Sequence, residues 1–215
     1  MKYRNLNPQK ALIWRIIHRD NLQWILDHGL HCAGSLLLAP DFVNIGNPEL
    51  IERRSRRVVP IEPGGTLSDY VPFYFTPFSP MLYNIHTGRG GVPRRSNEEI
   101  VILVSSLYHL KDLGIPFIFT NAHAYPEWTD YYNDLRDLSR VDWALLQARD
   151  FTRDQNDLRK FERYQAEALV YKHLPVQGLI GVICYTERLQ LELEQQVKAR
   201  GLSLQIHARP GWYFE

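Results

Sequence analysis

The sequence predicts a mixed α+β fold, because short apolar segments typical of strands are interspersed with amphipathic helical segments in no regular order. The strands neither alternate strictly with helices, as in a parallel α/β sheet, nor group together as in a sandwich. No linker rich in Gly, Ser, Pro or one sign of charge divides the 215 residues, and no internal repeat is found. We therefore expect one domain over residues 1–215, long enough to bury a core without disulfide bonds.

The first elements carry clear end signals. Residues 12–17 form an apolar run that predicts a buried strand. Asp20 has a glutamine three residues later, which is the capping-box spacing of a helix, and Gly29 suits the left-handed end of that helix. A second helix is predicted from Asn47 through Arg57, with a proline at its first position.

Residues 70–83 hold six aromatic residues and three prolines without one charge. Each proline fixes φ and removes a backbone donor, so this segment cannot be one uninterrupted strand or helix. We expect a short strand at 73–75, a turn at 76–79 and a helix that starts at Pro80. Taken alone, the segment is more typical of a buried turn than of a binding surface, because aromatic side chains are usually inside.

The rest of the chain predicts further strands and helices. Strands are expected at 99–105, 116–120, 166–172, 179–186 and 203–209. A helical turn ending at Gly114 joins the first two, and Gly201 ends a helix over 187–200. Residues 121–160 are aromatic and polar. An amphipathic helix is predicted there from five apolar residues at a spacing of three and four: Leu135, Leu138, Val141, Leu145 and Leu146.

Bulk properties narrow the class of protein. The formal net charge is only +1, so a polyanion would have to be met by a local patch rather than by a generally basic surface. The two cysteines are too few for a disulfide framework, and the first ten residues do not resemble a signal peptide. The longest apolar stretches, such as 179–185, are far shorter than the roughly 20 residues that span a bilayer. We expect a cytoplasmic protein with no membrane partner.

Glu167 is the clearest candidate for a chemical role. It lies between two alanines at the start of an apolar strand, and strand alternation places it on the same face as Leu169 and Tyr171. A carboxylate there would be partly desolvated and would need a partner or a function. An edge-strand glutamate that reaches solvent is an equally open interpretation.

The densest positive cluster consists of Arg53, Arg54, Arg56 and Arg57. Helical spacing turns Arg54 toward the side of Leu50 and Val58 and places the other three together, so Arg54 is the inward candidate. The remaining three form either a solvated basic face or contacts to nucleic-acid phosphates.

Two other motifs are weak evidence for a phosphate-binding or metal-binding site. The glycine-rich turn at 88–91, near Arg89, Arg94 and Arg95, lacks the Gly-Lys-Ser/Thr ending of a phosphate-binding loop. His28, His31 and Cys32 straddle an expected helix end without a second ligand pair of matching spacing, so no metal site is predicted.

Several blocks of sequence together resemble the DarT family. They are IIHRDNL at 16–22, VPIEPGG at 59–65 after the Arg54 helix, DYVPFYF at 69–75, SPMLY at 79–83 and AEALVY at 166–171. The similarity covers nearly the whole chain, and the blocks follow the family's order and spacing. That family comprises bacterial toxins that use NAD to ADP-ribosylate thymidine bases in single-stranded DNA and are opposed by a macrodomain antitoxin, DarG.

The resemblance implies an ADP-ribosyltransferase fold with a split central β-sheet flanked by helices, and Arg54 and Glu167 as the catalytic pair. It implies NAD as the ADP-ribose donor, no metal, and a substrate-facing turn–turn loop at about 120–160. The residues implied to bind NAD are Arg15, Ile16, Ile17, Asn21, Leu30, Arg54, Tyr74 and Met81. The residues implied to bind DNA are Arg53, Arg57, His123 and Tyr125, and the implied partners are single-stranded DNA and a DarG-like macrodomain antitoxin.

Two positions depart from the family's pattern. Arg15 stands where some relatives have His on the first strand, which would alter how the adenosine-side ribose is held. Phe78 replaces an Arg often found before Ser-Pro-Met-Leu, which removes a phosphate or DNA contact.

The chemistry agrees with the resemblance. Breaking the nicotinamide–ribose bond creates an oxocarbenium-like centre, which a carboxylate such as Glu167 stabilises. We expect Glu167→Ala to abolish transfer with little loss of stability. A guanidinium is effectively always charged, so Arg54 as a plain base is awkward, and both proton acceptance and stabilisation of an ionised base or of the NAD phosphates stay open. Pairing hides the thymine imide, so access alone requires a single strand.

Three other functions remain open from the sequence. One is a non-catalytic module that binds single-stranded DNA, and another is a nuclease, although the clustered acidic ligands for its metal are missing near Glu167. The third is an ADP-ribosyltransferase that modifies a protein or tRNA, because the NAD half of a site does not determine the acceptor.

Overall fold

The computed structural model describes residues 3–37 and 39–215, whose strands form one large sheet and one small one. The strands are β1 Leu12–His18, β2 Leu30–His31, β3 Tyr70–Tyr74, β4 Ile100–Ser106, β5 Phe117–Thr120, β6 Tyr131–Tyr132, β7 Glu167–Tyr171, β8 His173–Leu174, β9 Gly181–Cys184 and β10 Gln205–Ala208. The helices are α1 Leu22–His28, α2 Pro48–Arg54, α3 Pro80–Thr87, α4 Leu107–Asp112, α5 Trp143–Ala148, α6 Lys160–Arg163 and α7 Glu187–Ala199.

The large sheet has the strand order β10-β9-β4-β1-β3-β7-β5-β6, and β2 pairs with β8 in the small one. All paired strands are antiparallel except β9 and β10, which α7 connects as a crossover. In α7, Leu189, Leu193 and Val197 are buried at a spacing of four, which seats one face of the helix on the core. The predicted α+β class is confirmed.

The large sheet is split between β1 and β3. Strand β1 pairs with β4 along its whole length but meets β3 at one register position, Trp14 opposite Tyr74. In β3, the Asp69 carbonyl accepts from the Lys172 amide, so alternation directs the backbone groups of Pro72 away from β7 and toward β1. The missing N–H of Pro72 therefore faces the split and not a paired strand.

Several predicted helix ends are present. The Asn47 side chain accepts from the Leu50 amide at the start of α2, and Ser79 does the same for Leu82 at the start of α3. Gly29 ends α1 with φ of 76°, a conformation that favours glycine.

Other local predictions were wrong. The expected capping box at Asp20 does not form, and Asn21 is the residue that precedes α1. The side-chain amide of Asn21 does not cap the helix but bonds to both the N–H and the carbonyl of Val43. Helix α2 ends at Arg54 and not at Arg57, because the next residues turn to pair with 66–67: the Leu67 amide donates to the Arg57 carbonyl.

The two apolar patterns also form differently from the prediction. The leucine-rich run at 135–146 is divided between a 3₁₀ helix, Leu135–Arg140, and α5, which Asp142 caps. Strand β3 spans Tyr70–Tyr74, earlier than the predicted 73–75, because its proline faces the split and leaves the pairing with β7 intact.

Candidate active site

A cavity of about 350 Å³ lies at the split in the sheet. Its volume falls within the range of small-molecule sites, and apolar side chains dominate its wall. All eight residues predicted to bind NAD line it: Arg15, Ile16, Ile17, Asn21, Leu30, Arg54, Tyr74 and Met81. Glu167 and His123 also face this cavity. Asn21 donates to the Val43 carbonyl and accepts from the Val43 amide, which holds the 43–46 part of the wall in place.

Glu167 is the first residue of β7, opposite Tyr74 of β3, and it is only 2% exposed. Strand β7 is central, with β3 on one side and β5 on the other, so the solvent-reaching interpretation is excluded. The Glu167 amide donates to the Thr120 hydroxyl at 3.1 Å, which anchors the backbone of the residue. The carboxylate is therefore fixed in a buried position beside the cavity.

Arg54 is the partner of that carboxylate. Its side chain is 12% exposed, and its Nη1 lies 3.2 Å from Glu167 Oε1 and 3.0 Å from Oε2. Its Nη2 is buried and has no hydrogen-bond partner among the residues that the structure describes. The inward prediction for Arg54 is confirmed by position, although Val58, expected on the same side, is 65% exposed because α2 has already ended.

The two oxygens of the Glu167 carboxylate have different surroundings. Oε1 accepts from the Ala124 amide at 2.9 Å as well as from Arg54, and His123 Nε2 lies 3.7 Å away. Among residues 3–37 and 39–215, the one ion-pair or hydrogen-bond partner of Oε2 is the Arg54 guanidinium. Oε2 thus retains the greater capacity to accept a hydrogen bond from a bound molecule.

His123 presents its Nε2 to Glu167. The Tyr125 amide donates to His123 Nδ1 at 3.4 Å, so the proton of the neutral ring belongs on Nε2. Burial lowers the pKa of His123, and the Arg54 charge adds to that effect, although Glu167 opposes both. The ring is therefore neutral at pH 7, and at 3.7 Å its contact with Glu167 is too long for a hydrogen bond.

The family assignment follows from the match of the chain to a family model. The model described as "ssDNA thymidine ADP-ribosyltransferase, DarT" matches residues 14–214. The chain belongs to the DarT family. The sequence-based prediction of an NAD-dependent DNA ADP-ribosyltransferase is confirmed, and the competing binding-module, nuclease and protein- or tRNA-directed interpretations are set aside.

Relatives support the DarT assignment over the full length. A DNA ADP-ribosyl transferase of Escherichia coli O127:H6 is 61% identical over 210 residues, which cover 98% of this chain and 96% of that protein. The structure of Thermus sp. 2.9 DarT in complex with ADP-ribosylated ssDNA is similar with a TM-score of 0.86 at 35% identity, covering all of both chains. The same Thermus protein in complex with NAD⁺ is similar with a TM-score of 0.82 at 33% identity, over 96% of this chain and 99% of that one.

Arg15, one of the two departures from the DarT pattern, lies inside the cavity wall. Its Nη1 donates to the Pro72 carbonyl at 2.8 Å across the split, and its Nε is buried without a partner among the described residues. Burial lowers the pKa of Arg15 to about 10, and although the hydroxyl of Tyr74 opposes this shift, the Arg54 charge adds to it. Arg15 remains charged at pH 7 and bridges β1 to β3 where the strands do not pair.

Phe78, the other departure, is buried and not positioned at a surface. The Arg149 guanidinium lies 3.4 Å from the centre of its ring, and the Tyr3 ring packs against it at 4.7 Å. A positive charge is therefore retained next to this position, although it comes from another part of the chain.

The residues predicted to contact DNA lie in different environments. Arg53 is exposed and pairs with Glu49, whereas Arg57 is half-buried and its Nη2 donates to the Pro126 carbonyl at 3.1 Å. The expected common face with Arg53 and Arg56 does not form, because α2 ends before Arg57. Tyr125 is half-buried and, like Arg53 and Arg57, does not line the cavity.

The segment 120–160 divides into two parts. Residues 121–131 border the cavity through His123, whereas the later part contributes Leu138, Trp143 and Leu146 to the core. Sequence reasoning missed the groups that hold the first part, among them Thr120, Thr129 and the Ala124 amide. A backbone amide has no side-chain signal, and buried threonines are too common to be singled out.

A metal site and a membrane span each place requirements on the described residues. In the ranges 3–37 and 39–215, no three His, Cys, Asp or Glu side chains come together in a way that would hold a metal ion. None of the helices described there combines the length and the apolar character that crossing a membrane requires.

Proposed function

We propose that this chain transfers the ADP-ribose of NAD to thymidine bases of single-stranded DNA with Glu167 and Arg54 as its catalytic pair. The observation that carries the proposal is the buried carboxylate beside the cavity, held at Oε1 by Arg54 and Ala124 while Oε2 retains capacity for a ligand. Both residues line the cavity, Arg54 from the end of α2 and Glu167 from the start of β7.

Glu167 acts on the ribose that carries nicotinamide. Its Oε2 accepts a hydrogen bond from a ribose hydroxyl, and its charge stabilises the oxocarbenium-like centre as nicotinamide leaves. The carboxylate is oriented before substrate binds, because the Ala124 amide and Arg54 already hold it. Little reorganisation is then needed in the transition state.

Arg54 acts as a positive charge and not as a plain base. A guanidinium has donors and no acceptor, so Arg54, whose Nη1 lies 3.0 Å from the Glu167 carboxylate, has no site for the imide proton of thymine. Because Arg54 lines the cavity, its positive charge attracts an anionic group bound there, either an NAD phosphate or the deprotonated thymine. The imide proton passes to solvent water, and stabilising the ionised base lowers the cost of that loss.

NAD occupies the cavity against the eight residues implied by the resemblance. Arg15 contributes a second buried cation with an unused donor, and together with Arg54 it balances the charge of the NAD diphosphate. The apolar side chains of Ile16, Ile17 and Leu30 exclude water around the ligand.

The acceptor base enters on the side of residues 121–131. His123 and Tyr125 stack on or hydrogen-bond to unpaired bases, and Arg53 and Arg57 contact phosphates at the end of α2. The low net charge, +1, implies few phosphate contacts and a shallow dependence of binding on salt. The toxic activity is opposed by a DarG-like macrodomain antitoxin, and the protein acts in the cytoplasm, where NAD and DNA are both available.

The test is incubation with labelled NAD and oligonucleotides of matched sequence, followed by the mass of the product. We expect one ADP-ribose on single-stranded oligonucleotides that contain thymidine and none on thymidine-free or fully paired ones. A purified DarG-like macrodomain should remove the label. Equal modification of the duplex would refute the proposed access to the thymine imide.

A further inference from the structure

One peptide unit links a buried hydroxyl to the catalytic carboxylate. The Thr129 hydroxyl donates to the His123 carbonyl at 2.7 Å, and Thr129 itself is buried. The N–H of the same peptide unit belongs to Ala124 and donates to Glu167 Oε1 at 2.9 Å. We propose that Thr129 is a positioning residue for Glu167, acting through the His123–Ala124 peptide.

The geometry gives this link a specific effect. Because carbonyl and amide of one peptide unit share a plane, a bond that fixes the His123 carbonyl also fixes the direction of the Ala124 N–H. A donor on the carbonyl polarises the peptide, which strengthens the hydrogen bond that its N–H makes. Thr129 thereby holds Oε1 of Glu167 in place and leaves Oε2 as the oxygen that meets the ribose.

A second side chain restrains the neighbouring peptide unit but does not take the place of Thr129. Tyr131 donates its hydroxyl to the Ala124 carbonyl, which belongs to the following peptide unit. Tyr131 therefore restrains the turn, but Thr129 is the one side chain in the described residues that bonds to the His123 carbonyl of the unit facing Glu167. This inference rests on the proposed role of Glu167 in breaking the nicotinamide–ribose bond.

A positioning role and a purely structural role of Thr129 predict different effects on DNA transfer and NAD hydrolysis. If Thr129 only held the acceptor turn for DNA, its loss would slow transfer to DNA and leave NAD hydrolysis unchanged. Because Glu167 assists bond breaking in both reactions, a positioning role slows both equally. The effect should also follow the hydroxyl group and not the size of the side chain.

The experiment compares Thr129→Val, Thr129→Ala and Thr129→Ser in the full chain, with NAD hydrolysis and DNA transfer measured for each. Thr87→Val is the matched control, because the Thr87 hydroxyl also donates to a carbonyl, that of Tyr83, at 2.8 Å in α3. The amide proton of Ala124 is followed by NMR as a readout that does not depend on activity.

We expect kcat of both reactions to fall about tenfold in the Val and Ala variants, the scale of one net hydrogen bond, with KM for NAD nearly unchanged. The Ser and Thr87→Val variants should stay within about twofold of the unmodified protein, and the Ala124 resonance should shift only where the hydroxyl is lost. If the Thr129→Val variant does not fold, the comparison of Thr129→Ala with Thr129→Ser tests the positioning role by the same criteria.

Loss of DNA transfer alone, full activity without the hydroxyl, or equal loss in the Ser variant would overturn the positioning role. Glu167→Gln, assayed in parallel, distinguishes a failure of the proposed function from a failure of the positioning role alone. If Glu167→Gln keeps the full rate, the proposed function fails; if only the Thr129 variants behave unexpectedly, the positioning role alone fails.

Discussion

Replacing Glu167 by Gln removes a charge while preserving shape, and it measures how much that charge contributes. A carboxylate about 4 Å from the developing positive centre interacts with it by roughly 4 kcal/mol at an effective dielectric constant of about 20. The Arg54 guanidinium, 3.0 Å from Oε2, offsets part of this field. We therefore expect kcat to fall by about 10² to 10³ in both NAD hydrolysis and transfer.

The same variant changes stability, which the sequence alone did not indicate. Arg54 is 12% exposed and would lose its charged partner, and Ala124 would keep a weaker neutral acceptor. Loss of a hydrogen bond between charged groups in such a site costs about 1.5–3 kcal/mol. The expectation that Glu167→Ala leaves stability almost unchanged therefore has to be revised, because Ala leaves both donors without a partner.

The assay is single-turnover kinetics with NAD and a thymidine-containing single strand, run beside denaturant unfolding of each variant. Glu99→Gln serves as control, since Glu99 pairs with Arg95 outside the cavity and should affect stability but not rate. A folded Glu167→Gln variant with at least a tenth of the wild-type kcat would refute the electrostatic role.

Three further outcomes follow from the site. Arg54→Ala should lower kcat/KM by at least about 100-fold and Arg54→Lys by about tenfold, because a point charge cannot serve Glu167 and the cavity at once; wild-type kinetics in the Lys variant would show that charge alone suffices. His123→Ala should reduce DNA transfer more than NAD hydrolysis, since its contact with Glu167 is 3.7 Å, and equal losses would contradict an acceptor role. Burial lowers the pKa of both His31 and His123, so their contribution to stability is present above the unfolded value of about 6.5 and is lost as pH falls below it. Thermal unfolding at pH 7 to 5 should show this slope, and His123→Asn should reduce it; an unchanged slope would argue against a depressed His123 pKa.

The sequence predicted the longer strands and singled out Glu167 because those signals are local. Apolar runs identified β1, β4 and β7, and Glu167 between two alanines is conspicuous in such a run. Helix starts were also predictable, because a capping side chain and the amide it accepts from lie within three residues, as at Asn47.

What the sequence could not predict depends on contacts between distant segments. The end of α2 is set because the residues that follow it pair with 66–67. The hydrogen bond that fixes the Glu167 carboxylate comes from a backbone amide more than forty residues away in the chain. The capping box expected at Asp20 does not form, and the side-chain amide of the next residue, Asn21, bonds to Val43 in the cavity wall. In each case the decisive partner is a backbone group, to which any residue type contributes equally.

Pro72 contributes to keeping the split between β1 and β3 open. An unpaired strand edge tends to close on its neighbour, and β1 lies beside β3 with one register position already joined. A residue with an N–H at position 72 would donate a second hydrogen bond to β1 and extend the pairing between β1 and β3. Proline withholds that donor, and Arg15 occupies the carbonyl that remains. The split beside the cavity thus depends on an N–H that is missing from Pro72, a cavity-wall residue with no role in bond breaking.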